Sequence, residues 1–316
     1  MKCLDGGTKK DFANSLVYWL ARPYVIAGAL AFLLIPSVQL AKALESGADF
    51  LNIGAGARAS AMGSAYTALS ADANSIYYNP GGLALAKREI SMMHSAWALG
   101  GSYDFMAAAF PAAGGFKAAV SFTRLDHGGL DARGPGRESA GTFEAADRAV
   151  GLALARDFGG LSLGGGAKLL SSSIAGYEAS AVAFDLGAVK KLSGSPVTVG
   201  LAVRNMGRGM KFIDRRESLP LAVNAGAAYA VLPSVNLAAE VSRQVRERRT
   251  VVSVGTEYGL GGMLALRGGY AAGSAGVDGA LTGGVGFNAG SLKMDYSFAP
   301  FGGMDTTRKF SLSMGF

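Results

Sequence analysis

The sequence predicts an all-β fold: a closed antiparallel transmembrane β-barrel of about 14 strands with a small N-terminal helical plug, or hatch, in its lumen. Three observations predict it. From Lys87 to the terminal Phe316, apolar residues alternate with small or polar ones at the period of two that marks a strand. The connections between these stretches alternate between short and long. One Ala-rich stretch, Gly54 to Ala86, reads instead as helix and turn.

Composition sets the frame. The chain has 316 residues, 50% of them hydrophobic and only 17% charged, against roughly 25% charged in soluble domains. Its 47 glycines are about twice the usual share. Low charge without an apolar run long enough for a membrane helix suits a barrel, in which half the strand residues face lipid and half the lumen. The formal charge is +7. Lys2, Lys9, Lys10, Arg22 and Lys42 lie before residue 44, and the remaining excess is spread out, which argues against a nucleic-acid partner. The single cysteine, Cys3, precedes the hydrophobic stretch. The mature chain therefore has no disulfide, thiol nucleophile or Cys metal site, and no cysteine placed for lipoprotein attachment.

Tyr24 to Val38 is an apolar run preceded by Lys9, Lys10 and Arg22 and followed by Ala41-Lys42-Ala43, a small-x-small cleavage pattern. This predicts a cleaved secretory signal peptide over residues 1–43 and a mature chain from near Leu44. A retained anchor would need about 20 apolar residues, and Pro36 interrupts this run.

The strand signal is clearest near the C-terminus. Leu292, Met294, Tyr296 and Phe298 alternate with Lys293, Asp295 and Ser297; Phe310, Leu312, Met314 and Phe316 alternate with Ser311, Ser313 and Gly315. The apolar side has the character of a lipid face and the other that of a lumen. Strands are expected near 88–99, 102–112, 115–126, 145–158, 160–172, 177–190, 195–205, 219–231, 234–243, 248–258, 262–271, 279–289, 291–299 and 307–316. The connections Ala113-Gly114, Leu232-Pro233 and Ala289-Gly290 are short; His127–Glu144 and Met206–Ser218 are long. That asymmetry belongs to outer-membrane barrels; Gly100-Gly101 departs from it. A soluble β-sandwich would need neither such long strands nor an outward apolar band.

Within the hatch, Ala57 to Ser70 reads as a helix interrupted only by Gly63, with Ala61, Ala65 and Ala68 as a small-residue face. Asn79 stands at an N-cap position with Pro80 first in the short turn that follows. Tyr77 and Tyr78 are placed to pack against the barrel wall. In the strands, Gly164-Gly165-Gly166 would make room for a plug or sharpen curvature.

The run Ala57-Arg58-Ala59, Ala61-Met62-Gly63, Ala65-Tyr66 and Asp72 through Pro80 resembles the N-terminal signature of the PorV/PorQ family, within the wider FadL-like outer-membrane barrels. The closing segment, Asp295 to Gly302 and then Arg308 to Phe316, is similar as well. The resemblance implies a 14-stranded barrel with a lumenal hatch and one of two roles. PorV-like proteins receive secreted proteins at the outer membrane in a type IX pathway; FadL-like proteins pass hydrophobic small molecules through the barrel. Gly81 stands where FadL-like hatches usually have Ala, which weakens a close match to the fatty-acid porters.

These readings define the expected sites. Tyr77, Tyr78, Asn79, Pro80 and Gly81 form the hatch turn and a candidate ligand contact. Arg208, Lys211, Arg215, Arg216, Arg246, Arg248 and Arg249 form a basic loop surface, either a solvated rim or a docking surface for an acidic or lipopolysaccharide-like partner. Phe316 resembles the terminal signal read by the barrel assembly machinery, and is equally an aromatic girdle residue. No catalytic, cofactor or metal site is expected: His94 and His127 are the only histidines, and no HExxH, Walker or GxGxxG motif occurs. The expected organisation is signal peptide 1–43, hatch 44–86 and barrel 87–316 in the cell outer membrane. The expected role is non-enzymatic binding of exported proteins, with transport of hydrophobic small molecules as the alternative. Expected partners are outer-membrane lipid, the barrel assembly machinery, secreted proteins or a secretion complex, and a hydrophobic ligand.

Overall fold

A sheet crosses a bilayer only if every backbone N–H and C=O is paired, which forces it to close on itself. The computed structural model describes residues 47–97, 100–273, 279–301 and 305–316, and the sheet closes. The expected signal peptide, residues 1–43, lies outside the described residues. The barrel is built of β1 (Glu89–Ala96), β2 (Ser102–Pro111), β3 (Lys117–Arg133), β4 (Ser139–Asp157), β5 (Leu161–Ile174), β6 (Tyr177–Lys191) and β7 (Val197–Gly207). After a small hairpin, β8 (Met210–Phe212) with β9 (Arg215–Glu217), it continues as β10 (Ala222–Leu232), β11 (Val235–Gln244), β12 (Arg249–Leu260), β13 (Leu264–Ala272), β14 (Gly279–Ala289), β15 (Leu292–Phe301) and β16 (Asp305–Gly315). Fourteen strands make the closed barrel, each beside its neighbour in sequence, with β7 and β10 paired across the hairpin. Closure is the antiparallel pairing of β1 with β16, from Glu89 opposite Gly315 to Ser95 opposite Lys309.

Alternation sorts the side chains. Phe122, Leu152, Leu169, Leu186 and Val285 point outward, and Leu281 is 71% exposed. So much exposed apolar surface around the whole sheet is a lipid-facing band. Inward positions carry Ala107, Ala119, Ala149, Ala153 and Ala183, or serines and charged residues such as Ser311, Ser313, Glu240 and Asp185. No helix among the described residues is long and apolar enough to cross a membrane. The start of β1 and the C-terminus share one end with the short turns; the longer loops occupy the other.

Each expected strand position holds a strand, and three features differ from expectation. β3 and β4 run on as a ribbon through the segment read as the loop 127–144, pairing as far as Arg133 opposite Ser139 with register shifts after Asp126 and Asp131. Both faces of this ribbon stand clear of the lipid, so no apolar side marked it in sequence. Met206–Ser218, read as an irregular loop, contains the β8–β9 hairpin. The helix expected over Ala57–Ser70 is only α1 (Ala57–Ala61). Gly63 (φ 64) and Ser64 (φ 65) turn the chain left-handed there, ending a helix that Ala propensity alone would have continued.

Candidate functional site: the hatch and the lumen it fills

The hatch is a chain of short pieces, each tied to an inward side chain of the wall. It begins with a 3-10 turn, Asp49–Asn52, continues through α1, and then forms α2 (Ser75–Tyr78) and a second 3-10 turn, Pro80–Leu85. The Asn79 side chain accepts from the Gly81 N–H at 3.1 Å, with Pro80 first in the turn, which is the cap expected from the sequence. The same amide donates to the carbonyls of Thr67 (2.9 Å) and of Ala188 on β6 (3.0 Å). Small wall residues permit this approach: a Cβ on Gly187 would overlap the Asn79 side-chain oxygen, and one on Gly164 the Pro80 carbonyl.

The rest of the hatch is pinned by polar contacts. The Glu240 carboxylate accepts from the backbone N–H groups of Tyr66 (2.9 Å) and Thr67 (2.8 Å). The Ala57 N–H donates to Ser311 at 2.8 Å, and Lys309 Nζ to the Gly54 carbonyl at 2.5 Å. Thr282 accepts from Gly63 N–H (3.0 Å) and donates to the Ala61 carbonyl (2.9 Å). Arg58 grips Glu257 with two hydrogen bonds of 2.8 Å, and Arg267 bridges Glu257 (2.7 Å) to Asp295 (2.6 Å). Tyr66 donates to Asp72 at 2.5 Å. Burial pushes the Tyr66 phenol well above its ordinary range, so it stays a donor at neutral pH.

The lumen has two chemically distinct sides. Toward β11–β16 it is polar: Glu240, Glu257, Arg267, Asp295, Lys309 and Ser311. Toward β2–β6, apart from the buried Lys168–Asp185 ion pair (2.8 Å), it is apolar: Tyr103, Phe105, Leu125, Ala149, Leu170 and Ala183 belong with Met210, Leu219, and Phe50 and Leu51 of the first turn to one buried cluster. Phe50 and Leu51 are 2% and 4% exposed. Tyr77 meets Phe105 edge-on at 6.1 Å, and the Tyr77 and Tyr78 hydroxyls donate to the carbonyls of Leu51 and Ala55.

Two cavities flank the hatch. One, of about 280 Å³ near the turn end, is lined by Arg58, Asp72, Glu89, Glu257, Arg267 and Lys293 among others. The other, of about 140 Å³ toward the loop end, is lined by Tyr77, Tyr78, Arg204, Asn224 and Glu240 among others. Both are polar. Of the five expected hatch-turn residues, Tyr77 and Tyr78 reach a cavity; Asn79, Pro80 and Gly81 line neither and are buried against β5 and β6.

The basic residues gather at the loop end. Lys211, Arg215 and Arg216 lie on the β8–β9 hairpin, Arg208 just before it, and all four are exposed. Arg216 donates to the Gly209 carbonyl at 2.9 Å. Arg246 and Arg248 are exposed in the β11–β12 turn, and Arg249 donates through Nε to the Gly273 carbonyl. Phe316 ends the chain beside Arg88, whose carbonyl accepts its N–H at 3.2 Å. His94 pairs with Asp104 and His127 with Asp147, and no cluster of metal ligands occurs among the described residues. Phe50, Leu51, Glu240, Glu257 and Arg267 were not singled out from sequence. The only signal for the last three was a charged residue at an inward position of an alternating strand.

Fold and site together define a class: a transmembrane β-barrel of the outer-membrane type whose lumen is filled by its own N-terminal hatch. Solved structures of that class are similar to this chain. The Pseudomonas putida toluene transporter TodX matches with a TM-score of 0.62 at 14% identity, covering 83% of this chain and 99% of its own. The Ralstonia pickettii toluene transporter TbuX matches at 0.61 and 13%, covering 83% and 98%. A Pseudomonas aeruginosa FadL homologue matches at 0.56 and 11%, covering 81% and 97%. At such identities the likeness is one of fold. No protein-family profile and no curated protein matches the chain. The FadL-like part of the sequence resemblance is reflected in these structures; the PorV/PorQ part is not supported by them.

Proposed function

We propose that this chain is a non-enzymatic transporter of small hydrophobic molecules, and that its ligand site is the apolar side of the lumen now filled by Phe50 and Leu51. The observation that carries this reading is the division of the lumen. The open cavities are lined by charged side chains such as Arg58, Glu257 and Arg204, whereas the buried apolar cluster that holds Phe105, Leu125 and Leu170 also takes in Phe50 and Leu51 of the hatch. The turn that fills it spans only Asp49–Asn52 and follows a left-handed Ala48 (φ 62). Its withdrawal would vacate a site of aromatic and aliphatic character. Three barrels of similar fold are described as carriers of toluene or of monoaromatic hydrocarbons, which agrees with that character.

The test is ligand binding. With Phe50→Ala the pocket no longer has to be cleared of a phenyl ring, and toluene should bind on the order of tenfold more tightly. Leu170→Glu should abolish binding in a barrel that still folds. Unchanged toluene binding in both variants would refute the reading.

A second reading, binding of exported proteins in a type IX-like pathway, rests on the sequence resemblance and on the exposed cations of the β8–β9 hairpin. Deleting Met210–Glu217 would be a poor test, because Met210 is buried in the lumen cluster and Ser218 holds Gly47. Charge reversal at Lys211 and Arg215 leaves that packing in place. It should abolish co-purification of secreted proteins if they dock there; unchanged co-purification sinks the reading.

A further inference from the structure

We propose that the outward face of β3 and β4 holds the phosphate monoester of an outer-leaflet glycolipid, with Arg124 and Arg148 as its ligands. The two arginines are direct cross-strand partners, which places their Cβ atoms roughly 5 Å apart. Both alternate outward, in phase with the exposed Phe122, Val150 and Leu152. They stand at the loop-side edge of the lipid-facing band, where β3 and β4 leave the barrel as a ribbon. Like charges directly opposed across a sheet repel, so the pair calls for an anion between them.

The protein's own acids supply one to Arg124 but none to Arg148. Asp126 accepts from Arg124 at 2.6 Å and also from the Gly128 N–H. Asp104, opposite Arg124 on β2, is held by His94 at 2.6 Å and Ser102 at 3.1 Å. Arg148 has no hydrogen-bond or ion-pair partner among the described residues. On its other side the register continues to Ser171 on β5 and Ser180 on β6, both exposed.

A lone arginine at this depth would simply extend its head to water, but two in register present a pair of planar donors over an apolar floor. A phosphate monoester matches them in charge, about −1.5 to −2 at neutral pH, and in bidentate geometry. Its acyl chains would lie along Phe122, Val150 and Leu169. This inference does not depend on what the lumen carries.

The test compares the wild-type protein with R124Q/R148Q in phosphatidylcholine vesicles with and without lipid A. Without lipid A the double variant should melt at or above the wild-type temperature, because the repulsion is gone. With lipid A the order should reverse. Retention of lipid A through detergent purification, read by native mass spectrometry, should fall by about tenfold or more. R124K/R148K should keep part of it, and Arg308→Gln, which removes a lone outward arginine, should keep all. The same melting order in both vesicles, equal retention by the double variant, or an equal loss in Arg308→Gln would overturn the proposal.

Discussion

At the scale of single residues, Asn79 shows how one side chain serves two levels of structure. Its oxygen caps the Pro80 turn, and its amide joins Thr67 of the hatch to Ala188 of the wall. Replacement by Ala removes the hydrogen bonds to two carbonyls and to the turn N–H. We expect Asn79→Ala to cost about 2–3 kcal/mol, read as a lower urea midpoint in detergent. The cap was legible in sequence because capping is local chemistry: Asn, then Pro, at the start of a turn. The bond to Ala188 was not, since it spans 109 positions and exists only when β6 and the hatch share a barrel. Glu257 makes the complementary case. It faces Arg58 and Arg267 at once, so Glu257→Gln weakens the hatch anchor together with one ion pair inside the wall. Current through planar bilayers should rise in that variant as the hatch loosens, whereas a quiet variant would show that the remaining anchors suffice.

At the scale of elements, strands and hatch differ in how much of them the sequence displayed. A barrel strand has one side in lipid, and its alternation survives as a period-two pattern; β15 and β16 were plain for that reason. The β3–β4 ribbon beyond Asp126 has water on both sides and no such pattern. That same solvation makes it dispensable. Replacing residues 129–142 by a short turn should leave the melting temperature of the barrel unchanged, and a large drop would mean that the ribbon packs on something. The hatch fits against β5 and β6 through glycine. A Cβ at Gly187 collides with Asn79, so Gly187→Val should release the hatch to added protease while the barrel keeps its heat-modifiable migration on gels. A protease-resistant hatch would show that the wall can yield instead.

At the scale of the whole molecule, closure was determined early and filling late. Alternation, the short and long connections, and a lipid-facing residue at every second position determined a closed antiparallel barrel. A bilayer leaves no unpaired edge as an option, so local pattern and global topology are bound together. The sequence also determined that a non-strand segment precedes the barrel and that its Asn-Pro turn is capped. Only the tertiary structure decided how the lumen is divided. Inward residues of β2–β6 and of β11–β16 lie up to about two hundred positions apart, and each strand alone shows only that its inward side is small or polar. Closing the sheet gathers Phe105, Leu125 and Leu170 on one side and Glu240, Glu257 and Arg267 on the other. It also sets Phe50 and Leu51 among the former. That partition is long-range packing, which no local periodicity encodes, and it is where the proposed ligand site lies.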